Sequence, residues 1–418
     1  MSEWKETELG VIPKDWNIVK FVDGVNIKNG QVKPTEDPYS EMFHIGSENI
    51  APHSGRFLDV KRNKDLQISS GNYYFTKDDI LYSKIRPYFN KVALPAFEGT
   101  CSADMYPLRP KNDCFNKDFL FYFLLSNLFL PQAISFQDRT GIPKINREQL
   151  GRTLLLKPPL EEQKQIADVL SCLDVKIENL RRQNETLEAI AQTLFKHWFI
   201  DFEFPDADGK PYKSSGGEMV DSAIGDIPEG WYVGKLGDIG ENIREGVKES
   251  DIRPDMSYIG LEHIPRKQIA LDTWEQAVDV ASNKFWFNKG NILFGKLRPY
   301  FHKVGVAFTS GVCSTDILVI DSKQETYFGF LLMLLSSEQF IYYVSLASEG
   351  TRMPRTSWEY MKDYPVVIPT LLVLKDFNEL LKLLIKKMEV NIFQIQTLTK
   401  TRDILLPKLM SGQLRIEE

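Results

Sequence analysis

Ile80-Leu81-Tyr82-Ser83-Lys84-Ile85-Arg86-Pro87-Tyr88-Phe89-Asn90-Lys91-Val92 comes back as Ile292-Leu293-Phe294-Gly295-Lys296-Leu297-Arg298-Pro299-Tyr300-Phe301-His302-Lys303-Val304. Around this pair the rest of a duplication falls into register. Leu9-Gly10-Val11-Ile12-Pro13 with Trp16 returns as Ile224-Gly225-Asp226-Ile227-Pro228 with Trp231. Cys101-Ser102-Ala103-Asp104 returns as Cys313-Ser314-Thr315-Asp316, and the offset drifts only between 215 and 211 residues. A unit of about 210 residues is far too long for a solenoid repeat, so each copy is a folded module. Two such modules suit a partner that is itself nearly two-fold symmetric, as duplex DNA is.

Each module runs into a helix. Pro158-Pro159 closes the first, and Glu161 and Glu162 follow, acids suited to the positive end of a new helix. One seam column then reads Ile166, Leu173, Leu180, Leu187, Leu194, and the other Leu170, Ile177, Asn184, Ala191, Trp198. After Pro369 the columns are Phe377, Leu384, Asn391, Leu398, Leu405 and Leu381, Met388, Ile395, Arg402, Leu409. A seam kept over four heptads predicts a coiled coil; a helix lying on a globular core would show a wider stripe.

The polar seam residues decide the orientation. Side by side in the same sense, Asn184 meets Ile395 and Asn391 meets Leu180, and an unpartnered buried amide costs roughly 1–3 kcal/mol. In the opposite sense the residue numbers in every layer add to 575, and Asn184 meets Asn391. The antiparallel pairing is therefore expected. Arg402 would then face Leu173 and has to reach solvent. Pro407 is expected to bend or end the second helix, which leaves the Ile166–Leu409 layer weak.

Short aromatic strand-like pieces such as 73–75 and 80–82, punctuated by Gly, Pro and Asn, predict mixed modules. The expected fold is α+β: two similar α/β globular domains separated by two long antiparallel coiled-coil helices, with pseudo-two-fold symmetry. The boundaries read 1–159, first domain; 160–200, first helix; 201–222, connector; 223–369, second domain; 370–418, second helix. The connector holds Pro205, Asp206, Asp208, Gly209, Pro211 and Ser214-Ser215-Gly216-Gly217, and is expected to be extended and polar.

The totals exclude more than they assign. The 418 residues suit several domains, and 43% hydrophobic with 26% charged residues is a globular composition. A net charge of −6 argues against a nucleic-acid partner only weakly, because local clustering decides. The four cysteines show no C-x-x-C spacing and read as buried thiols in a reduced compartment. No signal-peptide core opens the chain, and the apolar run 119–130 is too short to span a bilayer. The chain reads as cytoplasmic, with no membrane role. There is no G-x-G-x-x-G, no P-loop and no H-E-x-x-H, so no catalytic residue and no metal ligand is assigned. Asp104 and Asp316 match between copies and read as structural acceptors from backbone.

The cations are more informative. Lys84, Arg86 and Lys91 flank Tyr88, as Lys296, Arg298 and Lys303 flank Tyr300, with no acid among them. Cations with an interleaved aromatic can contact phosphates and fix a module on a duplex. A second cluster, Arg139, Lys144, Arg147 and Arg152 with Thr140-Gly141-Ile142-Pro143 among them, has its counterpart in Arg352 and Arg355 around Pro354. The plain alternatives are a core Pro-Tyr-Phe with solvated edges, and a solvated loop. Segments that differ between the copies are where unlike bases can be read. Lys28-Asn29-Gly30-Gln31-Val32-Lys33 only loosely matches Arg244-Glu245-Gly246-Val247-Lys248. Gln31 and Lys33 are the first candidates, followed by Arg56, Arg62, Arg266, Lys267 and Gln268.

Taken together, the chain resembles the specificity (S) subunits of type I restriction-modification systems along its whole length. The resemblance rests on the Ile-Pro-x-x-Trp opening of each half, the G-x-P loop, and Pro158-Pro159-Leu160-Glu161-Glu162-Gln163 running to Ile166. It rests also on Trp198-Phe199-Ile200-Asp201-Phe202-Glu203-Phe204-Pro205 and on Leu405-Leu406-Pro407-Lys408-Leu409-Met410-Ser411-Gly412-Gln413-Leu414. It implies two target recognition domains, each reading half of a split double-stranded DNA site in the major groove. It implies helices that set the spacing and dock two modification (M) subunits carrying S-adenosylmethionine, with restriction (R) subunits that cut. This chain itself would bind no cofactor and catalyse nothing. The second helix begins Pro369-Thr370-Leu371-Leu372 without the Glu-Glu-Gln, so partner contacts are expected to differ there. The rival readings are a stand-alone pseudo-dimeric DNA-binding regulator, a self-sufficient nuclease or methyltransferase, and a coiled-coil scaffold without a DNA role.

Overall fold

The computed structural model describes residues 4–68, 70–111, 114–136, 142–346 and 353–416. The chain divides into two compact units, Met1–Ile177 with Thr397–Glu418, and Glu178–Gln396.

The first unit runs β1 (Asn17–Lys20), β2 (Val25–Ile27), β3 (Gln31–Val32), β4 (Phe43–Ile45), β5 (Lys61–Arg62), β6 (Asn72–Phe75), β7 (Ile80–Ser83), β8 (Val92–Ala93), β9 (Gly99–Cys101) and β10 (Met105–Pro110). Helices α1 (Lys117–Leu125), α2 (Leu130–Ser135) and α3 (Arg147–Arg152) follow, then β11 (Leu154–Lys157). One sheet has the order β8-β7-β10-β2, a second β3-β6-β9-β4-β5, and β11 pairs with β1. Alternation along β7 explains the layering. Ile80 and Tyr82 face a core shared with Phe119, Phe123 and Phe129 under the helices, and Leu81 faces a core with Ile45, Phe75 and Met105 under the second sheet. The helix starts are written locally. The Asn116 side chain accepts from the Asp118 and Phe119 N–H groups at 3.0 Å, and Asn146 and Gln149 cap each other's backbone at α3.

The second unit repeats this. Its strands are β12 (Tyr232–Lys235), β13 (Gly240–Ile243), β14 (Gly246–Val247), β15 (Ser257–Ile259), β16 (Glu275–Gln276), β17 (Lys284–Phe287), β18 (Ile292–Gly295), β19 (Val304–Val306), β20 (Gly311–Cys313) and β21 (Ile317–Ser322). Helices α5 (Phe328–Leu335), α6 (Glu338–Leu346) and α7 (Trp358–Met361) precede β22 (Pro365–Ile368). The orders β13-β21-β18-β19 and β14-β17-β20-β15-β16 match the first unit strand for strand.

The long helices are α4 (Leu160–Phe195) and α8 (Leu371–Met410). In the second unit Asn391 Nδ2 donates to Asn184 Oδ1 at 2.9 Å, and the Phe377 ring lies 5.6 Å from Trp198. Both layers add to 575, the antiparallel register. Met388, Ile395 and Leu180 are buried there with Leu187 beside them; in the first unit Ile177 is buried, and Leu173 and Leu398 are half-buried. In the first unit Ile166 and Leu409 share one core, so the terminal layer is well packed.

Four expectations need correcting. Arg402 does not reach solvent: its Nη1 donates to Asp174 Oδ1 at 2.7 Å, and Tyr122 Oη donates to Asp174 Oδ2 at 2.7 Å. A carboxylate next to Leu173 gives the guanidinium a nearer partner than water. Pro407 does not end α8, which runs on to Met410, because it lies on the exposed side, where the carbonyl it leaves unpaired can be solvated. The chain turns instead at Gly412, with φ +72°. The connector is folded, not extended. Phe204 stacks on Tyr212 at 4.6 Å and on Trp231 at 5.0 Å, and Phe202 packs edge-on to Trp231 at 5.6 Å. Cys101 and Cys313 are buried, but Cys172 is exposed on α4, so only the repeated pair behaves as core thiols.

Burial on the long helices is also wider than two columns. Ala167, Glu188, Ile385, Glu389 and Ile392 are buried outside them, because each helix lies on a module as well as on its partner helix. Among the described residues, no single helix is long and apolar enough to cross a membrane.

Candidate nucleic-acid interface

The tip between β7 and β8 has an unusual backbone. Arg86 is left-handed at φ +46°, Pro87–Phe89 makes one tight helical turn, and Asn90 is left-handed at φ +43°. The Arg86 N–H donates to Pro143 O at 2.6 Å and the Ile145 N–H to Lys84 O at 2.9 Å, so 143–145 runs alongside 84–86. Asn90 Nδ2 donates to Leu125 O at 2.9 Å. The second unit repeats each feature. Arg298 has φ +51° and donates to Pro354 O at 2.8 Å, and His302, φ +51°, places Nε2 2.8 Å from Ser336 O. A left-handed L-residue costs roughly 1–2 kcal/mol, and such strain concentrates at working sites. The outcome in both copies is an exposed Arg beside an exposed Tyr, 41% for Tyr88 and 54% for Tyr300.

The neighbouring lysines turn inward. Lys84 Nζ donates to Ala103 O at 2.6 Å, Lys91 Nζ to Ser47 O at 2.7 Å, and Lys303 Nζ to Leu261 O. Burial pushes the Lys91 and Lys303 ammonium groups below the ordinary lysine value. Lys296 is half-buried and Lys144 exposed. The matched carboxylates serve cations, not backbone: Asp316 accepts from Arg355 Nε at 3.1 Å, and Asp104 lies 3.6 Å from Lys84 Nζ. Gln31 is exposed, and Lys33 is exposed but paired with Glu36 at 2.7 Å. Arg62 donates to Glu41 O at 2.9 Å, Arg266 lies 4.1 Å over the Phe301 ring, and Lys267 pairs with Glu338 at 2.7 Å. Arg56 and Gln268 are half-buried. Arg139 and Arg352 lie outside the described residues.

What gathers the first unit's candidates is a pair of tyrosines that no motif singled out. The Arg147 guanidinium lies 4.8 Å from the Tyr106 ring and 5.5 Å from Tyr73, and Lys84 Nζ lies 5.7 Å from Tyr106. Arg147 also donates to Ile27 O at 3.1 Å and Lys28 O at 2.7 Å. Burial raises the Tyr106 hydroxyl pKa, and the Arg147 charge opposes this. Buried Asp79 accepts from Lys28 Nζ at 2.7 Å, Arg109 Nε at 2.8 Å and the Thr76 N–H at 2.8 Å. Lys84, Arg86, Lys144, Arg147 and the β2–β3 turn therefore share one face of the unit. Strand aromatics are usually core, so Tyr73 and Tyr106 gave no warning. The second unit has Phe285 and Leu318 at their positions, and Arg244 sits 6.0 Å over Phe285.

Of the Glu-Glu-Gln at the start of α4, Glu162 and Gln163 are internal and Glu161 is exposed. Glu162 accepts from Trp16 Nε1 at 2.9 Å and from Arg415 at 2.9 and 2.8 Å, and Arg415 also reaches Asp15 at 2.7 Å. Gln163 accepts from the Asn116 N–H at 2.9 Å and donates to Pro158 O at 2.9 Å. These two side chains close the first module. Among the described residues, no group of three or more His, Cys, Asp or Glu side chains converges to hold a metal.

The duplicated module thus carries one strained cationic turn per copy. Residues 13–189 match the family described as the type I restriction modification DNA specificity domain. Over all of this chain and 98% of its own length, the MjaIX type I restriction enzyme specificity subunit of Methanocaldococcus jannaschii is 28% identical. The HindI specificity subunit of Haemophilus influenzae is 24% identical over 99% of this chain and all of its own. The crystal structure of a type I S subunit from M. genitalium shares the fold, with a TM-score of 0.56 over 94% of this chain and 96% of that one, at 16% identity. Along its whole length the chain is similar to the specificity subunits of type I restriction-modification systems.

Proposed function

We propose that this chain reads an asymmetric, bipartite double-stranded DNA sequence as the non-catalytic subunit of a type I restriction-modification complex. The observation that carries this reading is one exposed Arg-Pro-Tyr turn in both modules, beside turns that differ. Phosphates are alike all along a duplex, so their contacts can repeat; base contacts must differ if the half-sites differ. Arg86, Tyr88, Lys144, Arg298, Tyr300 and Arg355 are the exposed groups suited to backbone, and the β2–β3 turn and its counterpart at 244–246 to bases. On this reading the chain holds no cofactor. S-adenosylmethionine sits on two modification subunits, restriction subunits join them, and the complex works in the cytoplasm.

Rebuilt with its modification subunits, the chain should protect one split sequence in footprinting and confine methylation to it. Methylation spread evenly over random DNA would overturn the reading. So would methylation or cleavage by the purified chain alone with S-adenosylmethionine and magnesium. A tight, specific complex of the chain alone with a split operator would point to the stand-alone regulator.

A further inference from the structure

We infer that Arg147 is a positioning residue: it sets which bases the first module selects by holding the β2–β3 turn, without touching DNA itself. The inference rests on the DNA-reading function proposed above. β2 belongs to the four-stranded sheet and β3 to the five-stranded one, so the turn between them crosses from sheet to sheet with no ladder of its own. Two carbonyls at its start, Ile27 O and Lys28 O, are taken by the two ends of the Arg147 guanidinium at 3.1 and 2.7 Å. The guanidinium also lies over the Tyr106 ring, 4.8 Å from its centroid, and over the Tyr73 ring at 5.5 Å. The Lys28 ammonium is held on buried Asp79 at 2.7 Å. What remains free to project is Asn29, Gly30 (φ +89°) and Gln31, all exposed. Side-chain amides are the groups that pair with adenine N6 and N7 in the major groove.

A planar fork is needed for this task, because a lysine cannot reach two carbonyls in fixed directions. Among the described residues the second module lacks the device. Trp358 follows the capping Ser357 where Arg147 follows Asn146, and the 244–246 turn carries its own arginine on Phe285. The effect of Arg147 is therefore confined to one half-site.

The test uses the full chain with its modification subunits, selection from a duplex library randomised at both half-sites, and binding across a salt series. Arg147→Lys and Arg147→Gln should each lower discrimination at one half-site at least tenfold and leave the other intact. The slope of log K against log salt should not change for Arg147→Gln. Arg86→Gln is the contrast: its slope should fall by about 1 with selectivity kept. Combined with Gln31→Ala, Arg147→Lys should cost no further selectivity, the non-additivity of two groups acting as one. Arg147 is instead a phosphate contact if Arg147→Gln lowers the slope by about 1 and Arg147→Lys restores wild-type behaviour. Equal loss at both half-sites together with a lower melting temperature, or additive effects with Gln31→Ala, also sinks the inference. An unselective wild-type complex is a different result, and refutes the DNA-reading function itself.

Discussion

Arg402 occupies a seam position where most layers hold an aliphatic side chain, and its partner decides what that costs. The Asp174 carboxylate, bonded on one oxygen by Arg402 and on the other by Tyr122, turns an isolated charge into a satisfied triad. Removing one member leaves the others unpaired in a half-dry site, so Arg402→Leu should destabilise the protein by roughly 1–3 kcal/mol in denaturant unfolding. The double change Arg402→Leu with Asp174→Leu should recover most of that loss. Glu188 is the opposite case. It is buried with one backbone donor, the Ile269 N–H at 2.8 Å, and desolvation pushes its carboxyl from 4.5 up to about 7, against that hydrogen bond. The unfolded chain gives up this proton near pH 4.5 and the folded unit only near pH 7. Folding stability from this group is therefore full below pH 4.5 and lost as the pH rises through 7. Glu188→Gln should be more stable than the wild type at pH 8, by up to about 3 kcal/mol, with no gain at pH 4.5. Neither role was legible in the sequence. Asp174 lies outside the seam columns, and Ile269 is far from Glu188 along the chain.

At the level of elements, periodicity was informative because it is local. A seven-residue recurrence places side chains on one stripe whatever else the chain does, and the cost of an unpaired amide selects the sense of pairing. The Asn184–Asn391 contact is that selection realised. Either single change to leucine should lower the melting temperature: Asn184→Leu takes the 2.9 Å acceptor from buried Asn391, whose Oδ1 already lacks a partner, and Asn391→Leu takes the donor from Asn184 Oδ1. Changing both to leucine should raise it, because apolar layers cost less to bury. A double variant that melts below both singles would show that the pair does more than satisfy itself. The connector was misread for the opposite reason. Its Pro, Gly and Ser content is what a loose linker shows, while Phe202, Phe204 and Tyr212 found Trp231 only through tertiary folding.

For the whole molecule, the net charge of −6 and the DNA-reading function are reconciled by placement. Several candidate lysines are spent on carbonyls, and among the described residues the exposed cations in the candidate face are Arg86 and Lys144 in one unit and Arg298 and the Asp316-paired Arg355 in the other. Four phosphate contacts predict a slope of log K against log salt of roughly −3 to −4 for the isolated chain. A slope near −10, measured by fluorescence anisotropy on random duplex, would mean that a much larger basic surface is engaged. The duplication, the helices, their opposed sense and the family resemblance were all written in the sequence, because repeats, heptads and capping residues act over short stretches of chain. The division of the cations into struts and free contacts was decided only by tertiary structure. A lysine and an arginine a few residues apart look alike until a carbonyl from a distant strand, or a tyrosine face, claims one of them and leaves the other to solvent.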